Sequence, residues 1–315
     1  MANTAVIFGA NNSGRILTPG GLLDYLGNPI LPAQAGNGGK FLTTDGTTAT
    51  WGVGGTSSGT KSSMFALTGS NGQIYYNTTY NMYFGWSGGA SGRWWPIGIP
   101  DPKYGFVWAP EDILGADRIG SIDLSGNNGQ LAGNLLNPGL CTVSQSAASG
   151  VSRMSQQLNS IQLGTMDLWI ESIIAIPTLS NGSDNACHVF GLNDGSSYSA
   201  TGACTDGVYF TLDPVNANWL TNTSSNSVLT SKTSSTAPSA GTFYRLSIFV
   251  EAGTQATFYV NGTAITTAHT TNLPTGAGRQ TGVAWDVHKT LGAGALTMSV
   301  DNFAGWGAFN GARVA

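Results

Sequence analysis

Three observations predict an all-β protein. Glu occurs at only three positions and charged residues make up 9% of the 315 residues, so residues that favour helices are scarce. Gly is abundant, at 45 residues, and Ser, Thr and Asn fill most other polar positions, as is typical of strands and turns. In the C-terminal two-thirds, short apolar-alternating runs are separated by Gly- and Asn-rich reversals, which indicates a β-sandwich or jelly roll.

The charge and cysteine content exclude several classes of protein. The net charge is −4 and basic residues form no run, so neither nucleic acid nor a membrane is expected as a partner. No apolar stretch approaches the ~20 residues of a membrane span, and no secretory signal is expected. Three cysteines are too few for a disulfide framework. Cys187 and Cys204 are either cross-hairpin neighbours in a disulfide or, by default, buried thiols.

Residues 1–52 form a first unit that holds too little apolar material for a core of its own. We expect it to become ordered on another surface or by joining copies of itself. The stretch LPAQAGNGGKFLTTDGTTATW (Leu31–Trp51) resembles a short module of tail-fibre and other structural proteins of tailed bacteriophages. The matching residues are Leu31-Pro32, Gly36-Asn37, Gly39 to Thr44, Asp45-Gly46 and Trp51. The resemblance implies a virion-anchoring segment and leaves open whether it binds capsid or tail.

A Gly/Ser linker is predicted over residues 53–63, followed by a small aromatic β unit over residues 64–100. Its predicted strands are Gly72–Asn77, Asn81–Trp86 and a third through Arg93-Trp94-Trp95. The unit resembles a phage-fibre meander at Gly72, Tyr75, Asn77-Thr78, Asn81 and Trp94. Its aromatic residues are too many for it to bury alone. Either they pack on symmetry mates, which favours a homotrimer, or they pack on the third unit.

The third unit spans residues 101–315 and is the predicted sandwich. Its hairpin FYRLSIFVEAGTQATFYVNG places Tyr244, Leu246, Ile248 and Val250 on a core face, with Arg245 and Ser247 toward water. Further alternating faces are Val283, Trp285 and Val287, then Leu296, Met298 and Val300. The predicted strands are Gly120–Leu124, Met166–Ile176, Ala186–Gly191, Gly207–Leu212, Ser227–Thr233, Phe243–Val250, Ala256–Val260, Gly282–Lys289 and Ala295–Phe303.

The "YVNG" hairpin and the late strand VDNFAGW (Val300–Trp306), with Asp301 before apolar residues, are similar to those of concanavalin-like or laminin-G-like sandwiches. The resemblance covers Asp167 to Trp306. It implies a concanavalin-like jelly-roll fold and no particular activity, because that fold hosts lectins, glycosidases and inert spacers.

The sequence does not predict an enzyme, and no catalytic residue, metal or cofactor is assigned. Asp167 and Glu171 would lie on one strand face, about 13 Å apart. A retaining glycosidase pair needs about 5–5.5 Å and an inverting pair about 6.5–9.5 Å. A partner from another strand leaves a polysaccharide depolymerase as an alternative. His188, His269 and His288 show no metal-binding spacing, and Asp286 with His288 is interpreted as a solvated polar face.

Loop carboxylates and amides leave a calcium site open, at Asp184-Asn185, Asn193-Asp194 and Asp206, although turn formation is the default role of such residues. Carbohydrate binding needs exposed aromatic rings beside Asn or Asp. The predicted glycan-binding residues, all in loops or at strand ends, are Asn193, Asp194, Tyr198, Tyr209, Asn216, Asn218 and Trp219.

These observations predict a bacteriophage virion protein, a head or tail fibre, assembled in the host bacterial cytoplasm. Its N-terminal segment would bind other virion proteins, and its sandwich would bind host-surface glycans as a homotrimer gaining avidity. A capsid decoration or cement protein with a purely structural role is the alternative, besides the depolymerase.

Overall fold

A computed structural model describes residues 57–70, 72–80, 82–87, 92–97, 141–147, 149–155, 161–195, 203–212, 214 and 217–309 with their side chains. Elsewhere only the backbone of certain strands is described. The first of these are β1 (Val6–Phe8), β2 (Arg15–Thr18), β3 (Gly21–Leu23), β4 (Phe41–Thr44) and β5 (Ala49–Gly52). The remainder of the predicted anchoring segment lies outside the described residues. In the part of the chain so described, no helix has the length and apolarity needed to cross a membrane.

A four-stranded meander follows, built from β6 (Ser57–Gly59), α1 (Lys61–Phe65), β7 (Ile74–Asn77), β8 (Met82–Ser87) and β9 (Arg93–Pro96). The strands pair in the order β6-β7-β8-β9, with only β6 and β7 parallel. The three strands predicted for the aromatic unit are present. The linker predicted over 53–63 is wrong from residue 57 onward, because β6 pairs with β7 and Thr60 caps α1 by accepting a hydrogen bond from the Ser63 N–H.

The sandwich consists of the strands that remain, with a 3-10 turn at Leu163–Thr165. They are β10 (Gly105–Asp112), β11 (Ile122–Ser125), β12 (Asn127–Ala132), β13 (Gly139–Gln145), β14 (Gly150–Ile161), β15 (Met166–Ala175), β16 (Asn185–Asn193), β17 (Gly207–Leu212), β18 (Leu220–Ser225), β19 (Val228–Thr233), β20 (Phe243–Glu251), β21 (Gln255–Val260), β22 (Thr263–Ala264), β23 (Thr281–Leu291) and β24 (Leu296–Phe309). Each of the nine predicted strands overlaps an observed one.

Two antiparallel sheets form the sandwich, so the predicted all-β fold is confirmed. The eight-stranded sheet has the order β12-β13-β24-β15-β20-β21-β22, with β10 also paired to β24. The seven-stranded sheet has the order β11-β14-β23-β16-β17-β18-β19. β15 lies between β24 and β20 and therefore runs through the middle of the first sheet.

The core lies between the two sheets and is built from the predicted alternating faces. Leu246, Ile248 and Val250 of β20 are buried in the same apolar cluster as Val283 and Trp285 of β23. Tyr244 packs against this cluster from its edge. Inward positions from both sheets therefore meet as the period-two pattern predicts.

The opposite face of the eight-stranded sheet is covered by the meander. Trp169, Phe249 and Trp306 point outward from β15, β20 and β24 and share one buried cluster with Tyr80 and Phe84 of the meander. Among the described residues, the buried aromatic side chains of the meander therefore pack on the sandwich within one chain. Of the two arrangements predicted for them, this is the second.

This cover corrects one expectation about β20. Ser247 was expected to face water, yet it is 1% exposed, and Arg245 is half-buried. Both lie on the outward face that the meander overlies. Strand alternation gives the two faces of a strand but does not say which of them meets solvent.

Candidate binding cleft between the meander and the sandwich

Asp167 anchors one end of the meander to β15. Lys61 of α1 places its Nζ 3.2 Å from Asp167 Oδ2 and 2.8 Å from Glu251 Oε1. The Tyr80 hydroxyl donates to the same Asp167 carboxylate, and the Ala252 N–H donates to it at 2.7 Å. Burial alone would lower the pKa of Lys61, but its hydrogen bonds and attraction to the two carboxylates leave that pKa raised. The Asp167 carboxylate is thus fully engaged in holding two units together.

Glu171 anchors the other end of the meander. It accepts an ion-pair hydrogen bond from Arg93 of β9, and further bonds from Trp169 Nε1 at 3.3 Å and Ser247 Oγ at 3.4 Å. Burial raises the pKa of Glu171 against the opposing attraction of Arg93 and Arg245. Burial likewise lowers the pKa of Arg93. Each member of the predicted carboxylate pair therefore has its own cation from the meander.

Beside the Arg93–Glu171 pair, a half-open cleft of about 240 Å³ lies between the meander and the sheet. Aromatic side chains and two arginines dominate its lining. The lining residues are Phe65, Leu67, Thr68, Trp86, Gly92, Arg93, Trp94, Trp169, Arg245, Tyr259 and Gly262.

The aromatic rings of the cleft are held in fixed orientations by their neighbours. Trp169 and Tyr259 lie with centroids 5.3 Å apart and planes inclined by 33°, and form the floor on the sheet side. Trp86 meets Trp94 edge to face at 5.3 Å on the meander side. Gly92 allows this packing, since a Cβ there would come within 2.5 Å of the Trp86 indole nitrogen. The platform is therefore preorganised.

The rim of the cleft on the sheet side is shaped by the Asn-Gly turn that the sequence predicts. Asn261 and Gly262 both have positive φ, at 51° and 83°. The Asn261 side chain accepts a hydrogen bond from the Arg245 N–H at 2.9 Å, and the Asn261 N–H donates to the Arg245 carbonyl at 2.8 Å. These bonds hold Arg245 beside Tyr259 at the rim.

Two of the three predicted glycan-binding aromatic residues, Tyr209 and Trp219, are not surface residues in this structure, which corrects the expectation of exposure. Tyr209 and Trp219 are each 1% exposed. Trp219 belongs to the central core, edge to face with Phe210 at 6.2 Å, and Tyr209 packs in a small cluster with Cys187 and Cys204. Neither ring offers a face for stacking on a sugar. Tyr198 and Asn216 lie outside the described residues.

The predicted polar partners serve the fold. Asn193 is buried and donates to Asp286 Oδ2 at 3.3 Å, and Asn218 donates to the Ser234 carbonyl at 2.8 Å. The Asp194 N–H donates to the Asp206 carbonyl at 3.0 Å. These amides therefore do not form the open polar rim that was expected around Tyr209 and Trp219.

The loop carboxylates considered for calcium take part in turns and ion pairs. Asp206 pairs with Arg279 at 2.8 Å and accepts from the Asn226 N–H at 2.9 Å. Asp184 accepts from the Gly294 N–H at 2.7 Å. No cluster of three or more His, Cys, Asp or Glu suited to a metal occurs in the described portion of the chain.

Asp286 departs from its predicted solvated position. It is fully buried and pairs with Arg153, whose Nε lies 2.6 Å from Asp286 Oδ1.

The cysteines Cys141, Cys187 and Cys204 are buried thiols that form no disulfide. The last two share the Tyr209 cluster, so the predicted proximity holds without a disulfide.

The cleft was not predicted from the sequence. The sequence does carry a signal for the cleft on the face of β15 opposite the core, where Trp169 lies between the acidic residues Asp167 and Glu171. In β20, Phe249 is likewise a large apolar residue on the face opposite the core. Large apolar residues on both faces of a strand indicate that a third layer covers the sheet. The meander is that layer.

A family model described as the SO2946-like C-terminal domain matches residues 137–301. The crystal structure of SO2946, a protein of unknown function from Shewanella oneidensis MR-1, aligns at 15% identity with a TM-score of 0.48, over 68% of this chain and 90% of that one. Peanut lectin aligns at 11% identity with a TM-score of 0.44, over 64% of this chain and 96% of the lectin chain. The carbohydrate recognition domain of Emp47p aligns at 10% identity with a TM-score of 0.45, over 67% of this chain and 96% of that domain's chain. No curated protein matches the sequence significantly.

Proposed function

The chain belongs to the SO2946-like family, and we propose that it binds carbohydrate in the cleft between the meander and the sandwich without chemically altering it. The observation that carries this proposal is the described lining of the cleft, where the half-buried rings of Phe65 and Tyr259 lie against three largely buried tryptophans, with two arginines at the edge. Sugar rings stack their apolar C–H faces on aromatic side chains, while polar side chains orient the hydroxyl groups.

The size of the cleft supports recognition of one sugar ring at a time. At about 240 Å³ it lies below the ~300–1,000 Å³ typical of sites that enclose a drug-sized ligand. The rest of a longer glycan would remain in solvent. Single-site affinity is then low, and tight attachment to a cell surface comes from several copies binding together.

Binding without turnover is the form of the proposal that the carboxylates favour. Asp167 is bonded to Lys61 and Tyr80, and Glu171 to Arg93. A general acid or nucleophile must be able to reach the scissile bond. Release of oligosaccharides from a bound polysaccharide would overturn this part of the proposal and support the depolymerase alternative.

A glycan array probed with bead-displayed protein tests the binding function. We expect at least one sugar to be bound, with Tyr259→Ala weakening binding about 10-fold or more and Tyr259→Phe retaining it, since the ring supplies the contact. Leu291→Ala, an exposed apolar truncation on β23, is the matched control and should bind as the wild type does. Failure to bind any glycan would refute the proposal and leave the purely structural role of a decoration or cement protein.

We further propose that this binding module is displayed on a tailed-bacteriophage particle, as a head or tail fibre assembled in the host bacterial cytoplasm. The support is the resemblance of Leu31–Trp51 and of the 64–100 unit to elements of virion proteins. Labelling intact particles with an antibody against the sandwich tests this. Its absence from purified virions would refute it.

The proposed assembly is a homotrimer, and a face of the meander supports contact between copies. Ile74, Tyr83 and Ile97 are 42%, 50% and 50% exposed, and they lie on the side of the meander sheet that faces away from the sandwich. An apolar face of this kind on a small unit is typical of a protein–protein contact.

A further inference from the structure

We propose that the cleft selects sugars that carry a carboxylate, such as uronic or sialic acids, through Arg93 and Arg245. This inference rests on the carbohydrate-binding function proposed above and specifies the class of glycan. Among the described residues, the side chains that line the cleft include both arginines and no acidic residue.

The charge of the cleft contrasts with that of the chain. The whole chain has 12 Lys and Arg against 16 Asp and Glu, yet two of those cations line one small aromatic space. Glu171 bonds Arg93 from beside the cleft. The described lining of the cleft carries two cationic side chains, and its aromatic walls reduce the screening of charge by water.

The two guanidinium groups are close enough to influence one another. Arg245 opposes the charged form of Arg93, and both attract Glu171. Like charges brought together cost free energy, which an anion placed between them offsets. A carboxylate on a bound sugar would supply such an anion.

The orientation of the Arg93 side chain is also restricted in a way that suits recognition. The Arg93 guanidinium lies 5.2 Å from the centroid of the Trp95 ring, and its buried Nε–H finds no acceptor among the described residues. Arg245 is positioned through its backbone by the Asn261 turn. Guanidinium groups bind carboxylates through paired N–H donors. A fixed guanidinium beside aromatic side chains can therefore bind the carboxylate of a sugar whose ring stacks on those side chains.

Matched pairs of multivalent glycoconjugates test the inference, each pair differing only in the carboxyl group. Suitable pairs are glucuronate and glucose, galacturonate and galactose, mannuronate and mannose, and N-acetylneuraminate and its carboxyl-reduced form. We expect the acid of at least one pair to bind about 10-fold or more tightly than its neutral partner. The preference should decline between about 0.05 M and about 0.5 M salt, since ions screen a half-exposed site.

Arg245→Gln should lower the ratio of acid to neutral-sugar binding about 10-fold, which brings that ratio close to one. Lys232→Gln, which removes the same charge from β19, is the control and should preserve the preference. Equal binding of acid and neutral partners, or a preference insensitive to Arg245→Gln, would overturn the inference while the binding function stands. Absence of binding to every conjugate would instead refute the proposed function.

Discussion

His188 is a titratable residue that the sandwich core buries almost completely, at 1% exposure. Burial lowers its pKa from 6.5 to about 4, because the charged ring would lose its hydration. The unfolded chain takes up this proton below about pH 6.5, whereas the folded protein does not. The contribution of neutral His188 to stability is therefore fully present above about pH 6.5 and falls by about 3 kcal/mol as the pH drops to about 4.

We expect His188→Leu to remove this part of the acid sensitivity. The free energy of unfolding, measured by urea titration between about pH 4 and 7, should decrease less steeply in the variant than in the wild type. His269, whose pKa burial also lowers to about 4, supplies a comparable slope in both proteins. Parallel pH profiles for wild type and variant would contradict the prediction.

The Arg93–Glu171 pair is a second test at the residue scale. The raised pKa of Glu171 and lowered pKa of Arg93 both indicate that burial outweighs their attraction. Glu171→Gln, which leaves a buried cation without its carboxylate, should cost about 3 kcal/mol in the free energy of unfolding. The double variant Arg93→Met with Glu171→Leu should recover most of this lost free energy of unfolding. A double variant less stable than Glu171→Gln, in the same urea titration, would contradict this.

Single residues were the hardest feature to predict from sequence. Trp219 and Tyr209 stand near Asn-rich turns, which suggested exposure. Their burial depends on distant partners, such as Tyr244, whose ring lies 6.3 Å from Trp219. Local composition carries no information on such contacts, so the fold could be predicted while the candidate site could not.

Among the strands, those with clear apolar alternation were predictable, whereas the polar strand β18 was not. β17 was placed without error, and β20 and β21 within one residue. β18 was missed because its sequence LTNTSS has the composition of a loop. Its Thr221 and Thr223 hydroxyls lie 2.8 and 3.2 Å from the two nitrogens of His269, so its stability depends on a polar network that follows no periodicity.

A substitution in β8 tests how much the contact between the meander and the sandwich contributes to stability. Phe84 is fully buried and meets Trp306 of β24 edge to face at 5.3 Å. We expect Phe84→Ala to cost about 3–5 kcal/mol, because the cavity opens at the junction of the two units. Val228→Ala, a truncation at a 56% exposed strand position, should change stability by less than about 0.5 kcal/mol.

The measurement is thermal unfolding followed by tryptophan fluorescence and by circular dichroism. If the meander and the sandwich form one cooperative unit, Phe84→Ala lowers both transitions together. A variant in which only the fluorescence transition moves, while the strand signal of the sandwich keeps its melting temperature, would show that the two units unfold separately.

For the whole molecule, the decisive feature is the docking of the meander on the eight-stranded sheet. Its polar contacts join residues far apart in sequence, with Tyr80 and Asp167 separated by 87 positions and Arg93 and Glu171 by 78. Composition predicted both the meander and the sandwich, but their contact with each other is visible only in the structure. The cleft arises at their junction, which is why no single motif contained it.

The exposed face of the meander predicts where copies of the chain contact one another. Because the inner aromatic residues of the meander are already covered by the sandwich, we propose that copies contact one another through the outer face around Tyr83 and Ile97. Light scattering of the wild type should give three times the chain mass of 32.5 kDa. Tyr83→Lys with Ile97→Lys should give monomers, because buried charges oppose association. Leu291→Lys, at an equally exposed position on β23, should leave the trimer intact. A wild-type protein that stays at 32.5 kDa over the whole concentration range would refute the trimer, and an assembly that survives both lysines would place its contact elsewhere.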